Sequence, residues 1–204
     1  MRLWVGARRP WVMIAALFVL LALDHLIGEV ELLIPAVFGS ASVTYFSTYL
    51  PLIWSMAIAD SFSARGLSVE SRPMLYARSG FVRQGPLDVG LFLGGTVVAA
   101  VVMSLFGAYE GPRAAPVLIL AGVACVLTLR FGASMGVFGA TLVVVMTTTY
   151  PPVYTGSKFV RVLQPEAEPT WALACGIGVC VLAAALLVTN SARTVFRPNE
   201  AKNM

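Results

Sequence analysis

Residues 115–153 read APVLILAGVACVLTLRFGASMGVFGATLVVVMTTTYPPV, and Arg130 is the only charged side chain among them. Two apolar runs, 115–131 and 137–153, are parted only by Gly132, Ala133, Ser134, Met135 and Gly136. Each run lies at the short end of the length a helix needs to cross the hydrocarbon of a bilayer, about 17–25 residues. A link this short leaves the two helices antiparallel and adjacent, so the stretch predicts a tight transmembrane hairpin.

The rest of the chain has the same character. Of its 204 residues 58% are hydrophobic and 12% charged, where soluble domains carry about 45–50% and about 25%. The mean hydropathy is +0.84. A soluble fold of this size has too little interior to hide that much apolar surface. The net charge of +4 is no sign of nucleic-acid binding, because the basic residues fall in short segments between apolar runs, where they set membrane orientation.

Working outward from the hairpin, four more runs qualify as spans: 11–28, 44–62, 86–106 and 171–189. The expected fold is therefore all-α: a polytopic membrane protein of six transmembrane helices, with residues 1–204 forming one transmembrane domain. In the manner of a signal peptide, Arg2, Arg8 and Arg9 precede an apolar stretch from Trp11 to Leu23 within the first run. It lacks a small-residue cleavage site, and Asp24, His25 and Glu29 follow at once, so it reads as an uncleaved helix. Placing both termini in the cytoplasm puts eleven of the fourteen Lys and Arg residues inside, leaving Arg113, Lys158 and Arg161 outside. Removing any one span destroys that asymmetry, which is what the positive-inside rule requires. Trp4 and Trp11 flank the inner end of the first run, and Tyr45, Tyr49, Tyr109, Tyr150 and Trp171 fall near outer ends, as interfacial aromatics do. The outer segment 29–43 carries Leu32, Leu33, Ile34, Val37 and Phe38, and is expected to lie in the outer leaflet as an interfacial helix.

Few residues inside the spans are suited to chemistry. Asp60 and Asp88 stand near inner helix ends beside a basic loop, where each reads as a solvated carboxylate paired with an Arg. His25 and Glu29 are four apart and share a helix face, but one His with scattered carboxylates falls short of the three or four converging ligands of a zinc site. Arg130 is expected to reach the inner headgroups. Thr147, Thr148 and Thr149 either bond back to their own helix or line a polar cavity. Cys125, Cys175 and Cys180 lie in apolar runs with no C-x-x-C spacing, and read as small packing residues. No phosphate-binding loop, G-x-S-x-G or H-E-x-x-H occurs. No metal or cofactor is expected. Small residues mark packing seams within the fold or between protomers: Gly94 and Gly95 in the third run, Gly132 and Gly136 at the hairpin, and Gly176 and Gly178 in the sixth.

The cytoplasmic loop 63–85 is the most distinctive segment. Its centre reads Glu70-Ser71-Arg72-Pro73-Met74-Leu75-Tyr76-Ala77-Arg78. Pro73 suits a first helical position, and Met74, Ala77 and Phe81 then fall on one stripe, giving a short amphipathic helix with basic ends. With this loop and its six spans, the chain resembles the membrane subunit of an ABC-2-type transporter over its whole length. The resemblance implies a permease in the plasma membrane of a bacterium, paired with a second copy or a paralogue. It implies that Glu70, Ser71, Arg72, Pro73, Met74 and Arg78 face a separate cytoplasmic ATP-binding subunit, which would hold the ATP and Mg. The cargo would be hydrophobic or amphipathic, and the chain itself no enzyme. The sequence departs from the family in the short segment before its first span and in a more polar outer connection between the fifth and sixth. Two other classes remain open on the residues alone: a non-transport binding, immunity or assembly protein, and a small membrane enzyme acting on lipid through Asp60 and Asp88.

Overall fold

The computed structural model describes residues 9–34, 42–63, 84–106, 114–149 and 169–196. Six α-helices dominate it: α1 (Pro10–Ile27), α2 (Pro51–Phe62), α3 (Gln84–Phe106), α4 (Ala114–Phe131), α5 (Ala133–Thr149) and α6 (Pro169–Phe196). Proline stands at the first turn of α1 and of α2, where its missing N–H costs nothing and its fixed φ favours the helix. Four stretches are both long and apolar enough to cross a membrane, Pro10–Ile27, Gly85–Phe106, Ala114–Phe131 and Thr170–Thr189. They turn large apolar side chains outward: Phe18 is 69% exposed, Leu26 77%, Leu105 71% and Val181 61%. That surface is stable in lipid and not in water. The chain is a helical membrane protein.

The α4–α5 hairpin is tighter than the spacing predicts. Gly132 alone links the helices, and α5 begins at Ala133, four residues earlier than expected. Gly132 takes φ +96°, and its N–H donates to the Thr128 carbonyl at 2.9 Å, the left-handed stop that glycine supplies cheaply. Ala133, Ser134 and Met135 are then free to continue as helix. No atom crowds the position where a side chain at 132 would sit, so Gly132→Ala carries a backbone cost alone. We expect a loss of about 1–2 kcal/mol, read as a lower midpoint of denaturant unfolding in detergent.

Two further boundaries differ from expectation. The second apolar run is not one α-helix. It begins as strand β2 (Ser42–Tyr45), passes through a 3₁₀ turn (Phe46–Thr48), and becomes α2 only at Pro51. In the outer segment before it, the described residues form strand and not helix: β1 (Glu31–Ile34) pairs antiparallel with β2, Glu31 opposite Tyr45 and Ile34 opposite Ser42, and residues 35–41 lie outside the described residues. Its Ile34, Val43 and Thr44 are β-branched and favour extended backbone. Pairing with β2 also satisfies backbone groups that apolar surroundings would otherwise leave without partners. Hydrogen bonds from Phe46 N to Val30 O (2.9 Å) and from Ser47 N to Gly28 O (3.2 Å) fasten the end of α1 to this connection.

Each helix runs antiparallel to the one before it. Arg9, before α1, meets Asp60 near the end of α2. Phe62 of α2 packs on Phe92 of α3. The last turns of α3 and the first of α4 form an apolar groove of about 390 Å³ lined by Val97, Val101, Leu105, Ala114 and Leu118. Gly122 of α4 lies against Val179 and Cys180 of α6, and Gly176 against Leu118, so α4 and α6 run parallel with α5 reversed beside them. α4 is the hub, packed against α2, α3, α5 and α6. One core joins Met13 and Leu20 of α1, Trp54 and Ile58 of α2, Phe92 and Met103 of α3, and Cys125 of α4.

Candidate functional site

On α3, Asp88, Phe92 and Thr96 follow one another at steps of four, which sets them on one face of a helix. All three are buried, Thr96 completely. Opposite them α2 presents Trp54, Ser61 and Phe62, also buried. The two helices meet through these side chains rather than through closely packed backbones. Phe62 and Phe92 cross edge to face, ring centres 6.1 Å apart and planes at 88°, a geometry that sets the positive edge of one ring on the negative face of the other. A turn further along, the indole of Trp54 lies over Gly95. A Cβ at 95 would stand 3.6 Å from Trp54 Cζ2, an ordinary contact, and 2.6 Å from Met13 Cε, the tip of a flexible side chain, so Gly95 marks where α1, α2 and α3 converge.

The polar atoms of this seam are unusual. Trp54 Nε1, Ser61 Oγ and Thr96 Oγ1 are buried and have no hydrogen-bond partner among the described residues. Other hydroxyls in these helices turn back on their own backbone: Ser55 donates to Leu52 O at 2.7 Å, Ser104 to Ala100 O at 2.8 Å and Thr141 to Val137 O at 2.9 Å. Ser61 and Thr96 do not, although the same i−3 or i−4 carbonyl is the usual recourse of a helical hydroxyl in lipid. Leaving a buried donor unmatched costs about 1–3 kcal/mol. Thr128 Oγ1 also lacks a partner, but it packs against Gly136 across the α4–α5 hairpin, and close packing accounts for its place.

Other residues singled out in the sequence are placed as follows. Asp60 is half-exposed, its Oδ2 4.0 Å from Arg9 Nη1, a surface pair worth little in stability. Asp88 is buried rather than solvated. It is 4% exposed and belongs to the seam, because it lies on the core stripe of α3. Asp24, read as one of several charges at an outer helix end, is fully buried. It continues the core-facing line of Met13 and Leu20, with its carboxylate folded over Gly28. His25 and Glu29 are exposed, and among the described residues no three metal-ligating side chains converge. Arg130 is exposed at the end of α4. Thr147 donates to Val143 O and Val144 O, and Thr148 to Val144 O, so both bond back to α5. The thiol of Cys180 donates to Leu118 O at 3.3 Å and ties α6 to α4.

The glycines divide by helix face. At Gly136 a Cβ would collide with Thr128 and with Ala124 O, so this position is a close contact of the hairpin. Gly94 and Gly178 have nothing near them. Neither is a seam within this chain; the seams run through Gly95 on α3 and Gly176 on α6 instead. Gly132 forms the turn and packs on nothing. Glu70, Ser71, Arg72, Pro73, Met74 and Arg78 lie outside the described residues.

Trp54, Phe62, Phe92 and Thr96 were not among the residues that the sequence marked as functional. The step-of-four spacing from Asp88 to Thr96 was the available signal, since it sets a carboxylate, a ring and a hydroxyl on one face. No family model matches the chain, and comparison with curated proteins and with solved structures finds no match.

Proposed function

We propose that this chain is the membrane-spanning subunit of an ABC-type exporter, with all six helices crossing a bacterial plasma membrane and both termini in the cytoplasm. A separate subunit hydrolyses ATP, and a second copy or a paralogue completes the pathway for a hydrophobic or amphipathic substrate. The observation that carries the reading is where loop 63–85 is rooted. The loop holds four of the basic residues assigned to the inside, Arg65, Arg72, Arg78 and Arg83, and it joins α2 to α3, the two helices that meet across the polar seam. A push on the loop from a docked ATPase would act on that pair first. Side-chain contacts part and re-form more readily than closely packed helix backbones, so the seam is suited to respond.

Six residues of the loop carry the proposed docking element, Glu70, Ser71, Arg72, Pro73, Met74 and Arg78, and the orientation it needs is open to direct test. In the protein with its three natural cysteines replaced by alanine, a single cysteine introduced as Ser68→Cys is expected to react with a membrane-impermeant maleimide only in inverted vesicles or permeabilised cells. Reaction in intact cells would place the loop outside and overturn the arrangement.

A further inference from the structure

The seam between α2 and α3 offers hydrogen bonds that nothing among the described residues takes up. Trp54 is 2% exposed and Thr96 fully buried; neither Nε1 nor Oγ1 has a partner. The Trp54 ring lies against Gly95, the residue beside Thr96. An indole N–H is a donor only, whereas a threonine hydroxyl both donates and accepts, so the group that fits this pair carries a hydrogen-bond acceptor. The walls are apolar and aromatic: Phe62 and Phe92 on one side, Met13 on the other. Walls of this kind leave an ionised group without compensation, so the fitting molecule is neutral. We propose that the α2–α3 seam is a binding site for a neutral molecule with an aromatic or aliphatic body and a ketone, ester or amide oxygen. That oxygen accepts from Trp54 Nε1 and Thr96 Oγ1, and Phe62, Phe92 and Met13 enclose the body.

A ligand enters this seam by displacing side chains, since α2 and α3 are not closely packed backbone to backbone. A polar group brought in on an apolar body satisfies both donors, a gain that an all-hydrocarbon molecule cannot match. The proposal rests on the transporter reading only in treating the bound molecule as cargo.

Benzophenone is a suitable probe, being a neutral aromatic ketone whose excited carbonyl inserts into nearby C–H bonds, with methionine a favoured target. The purified chain in detergent is irradiated with rising concentrations of benzophenone, and the adducts are located by mass spectrometry. Met135 and Met146, 44% and 48% exposed on the outer face of α5, report non-specific partitioning. Wild type is compared with Trp54→Phe/Thr96→Val. Thr96→Val keeps its volume, whereas Trp54→Phe removes the indole nitrogen together with the ring edge over Gly95, so thermal denaturation in detergent is run beside the labelling, and Thr96→Val alone is labelled as the variant that changes no volume. The expected result is saturable labelling of Met13, reduced about fivefold or more in the double variant, the factor lost with one neutral hydrogen bond. Labelling of Met135 and Met146 stays unchanged. Adducts confined to Met135 and Met146, or Met13 labelling equal in both proteins, would overturn the proposal. Binding is read here with no ATPase present, so its failure is distinct from a failure of the transporter reading.

Discussion

Gly122→Val is expected to separate α4 from α6 and to remove most of the folded protein from a detergent extract, while Gly178→Val is expected to leave it unchanged. The two glycines lie on neighbouring stretches of apolar helix and differ in what surrounds them. A Cβ at 122 would come within 2.7 Å of Val179 Cγ1, 3.1 Å of Val179 C and 3.2 Å of Cys180 N. Two of those atoms are backbone, so a rotamer change gives no relief and α6 itself must move. The same shift would stretch the 3.3 Å contact from Cys180 Sγ to Leu118 O. Overpacking of a tight seam costs about 1–3 kcal/mol when side chains absorb it, and valine against fixed backbone belongs at or above the upper end. Total stabilities of about 5–15 kcal/mol leave little room for such a loss. At Gly178 nothing among the described residues lies within 4 Å, so valine there displaces no neighbour. Thermal denaturation followed by size-exclusion chromatography reads both variants. Equal behaviour of the two would show that α4 and α6 do not pack as described.

The second large effect is functional. Glu70→Ala and Arg72→Ala are expected to leave membrane insertion and yield at the wild-type level, and to disconnect ATP hydrolysis from transport in vesicles containing the partner ATPase. Both residues lie in a loop flanked by α2 and α3, far along the chain from any packed glycine seam, so a stability defect is not expected. The signature is ATPase turnover that no longer responds to the permease, with transport reduced at least about tenfold, as when a coupling of roughly 1.4 kcal/mol is lost. Normal transport in both variants would remove the 70–78 segment as the docking element.

Much of this bundle was legible in the residue pattern, because membrane helices announce themselves by length and apolarity. The boundaries of α1 and α4 fall within one residue of the runs 11–28 and 115–131 at their starts and ends. The α5 boundary moved because residues 133–136 read as a linker, although Gly132 alone reverses the chain. The β1–β2 pair was hidden for a different reason. Leu32, Leu33 and Ile34 are apolar in any conformation, and a strand is fixed by a partner ten or more residues away that local pattern does not reveal. On α3 and α6 the pattern marked both glycines of each pair, Gly94 with Gly95 and Gly176 with Gly178, without telling which of the two is pressed. Adjacent helix residues differ by about 100° in direction, and only the neighbouring helix decides whether Gly94 or Gly95 is the one pressed.

The polar seam shows the same division. That Asp88, Phe92 and Thr96 share a face follows from their spacing, but that this face turns inward, against Trp54 and Phe62, depends on how six helices settle around α4. The reading of Asp88 as a solvated helix end failed on that point. Its position within the first two turns of α3 is compatible with either surface or core, and the rotation of the helix put it in the core. Asp24 is the parallel case on α1: Met13, Leu20 and Asp24 fall on one line, and the line faces the bundle.

The central claim is that this membrane chain works with a separate ATPase. Affinity purification of the tagged full-length chain in mild detergent, from cells that express its natural neighbours, tests it most directly when the co-purifying proteins are identified by mass spectrometry. The account predicts a soluble subunit carrying a phosphate-binding loop in stoichiometric amount, lost from the preparation in Glu70→Ala/Arg72→Ala. Recovery of the chain with membrane partners and no ATPase would contradict it and point to a binding or assembly role.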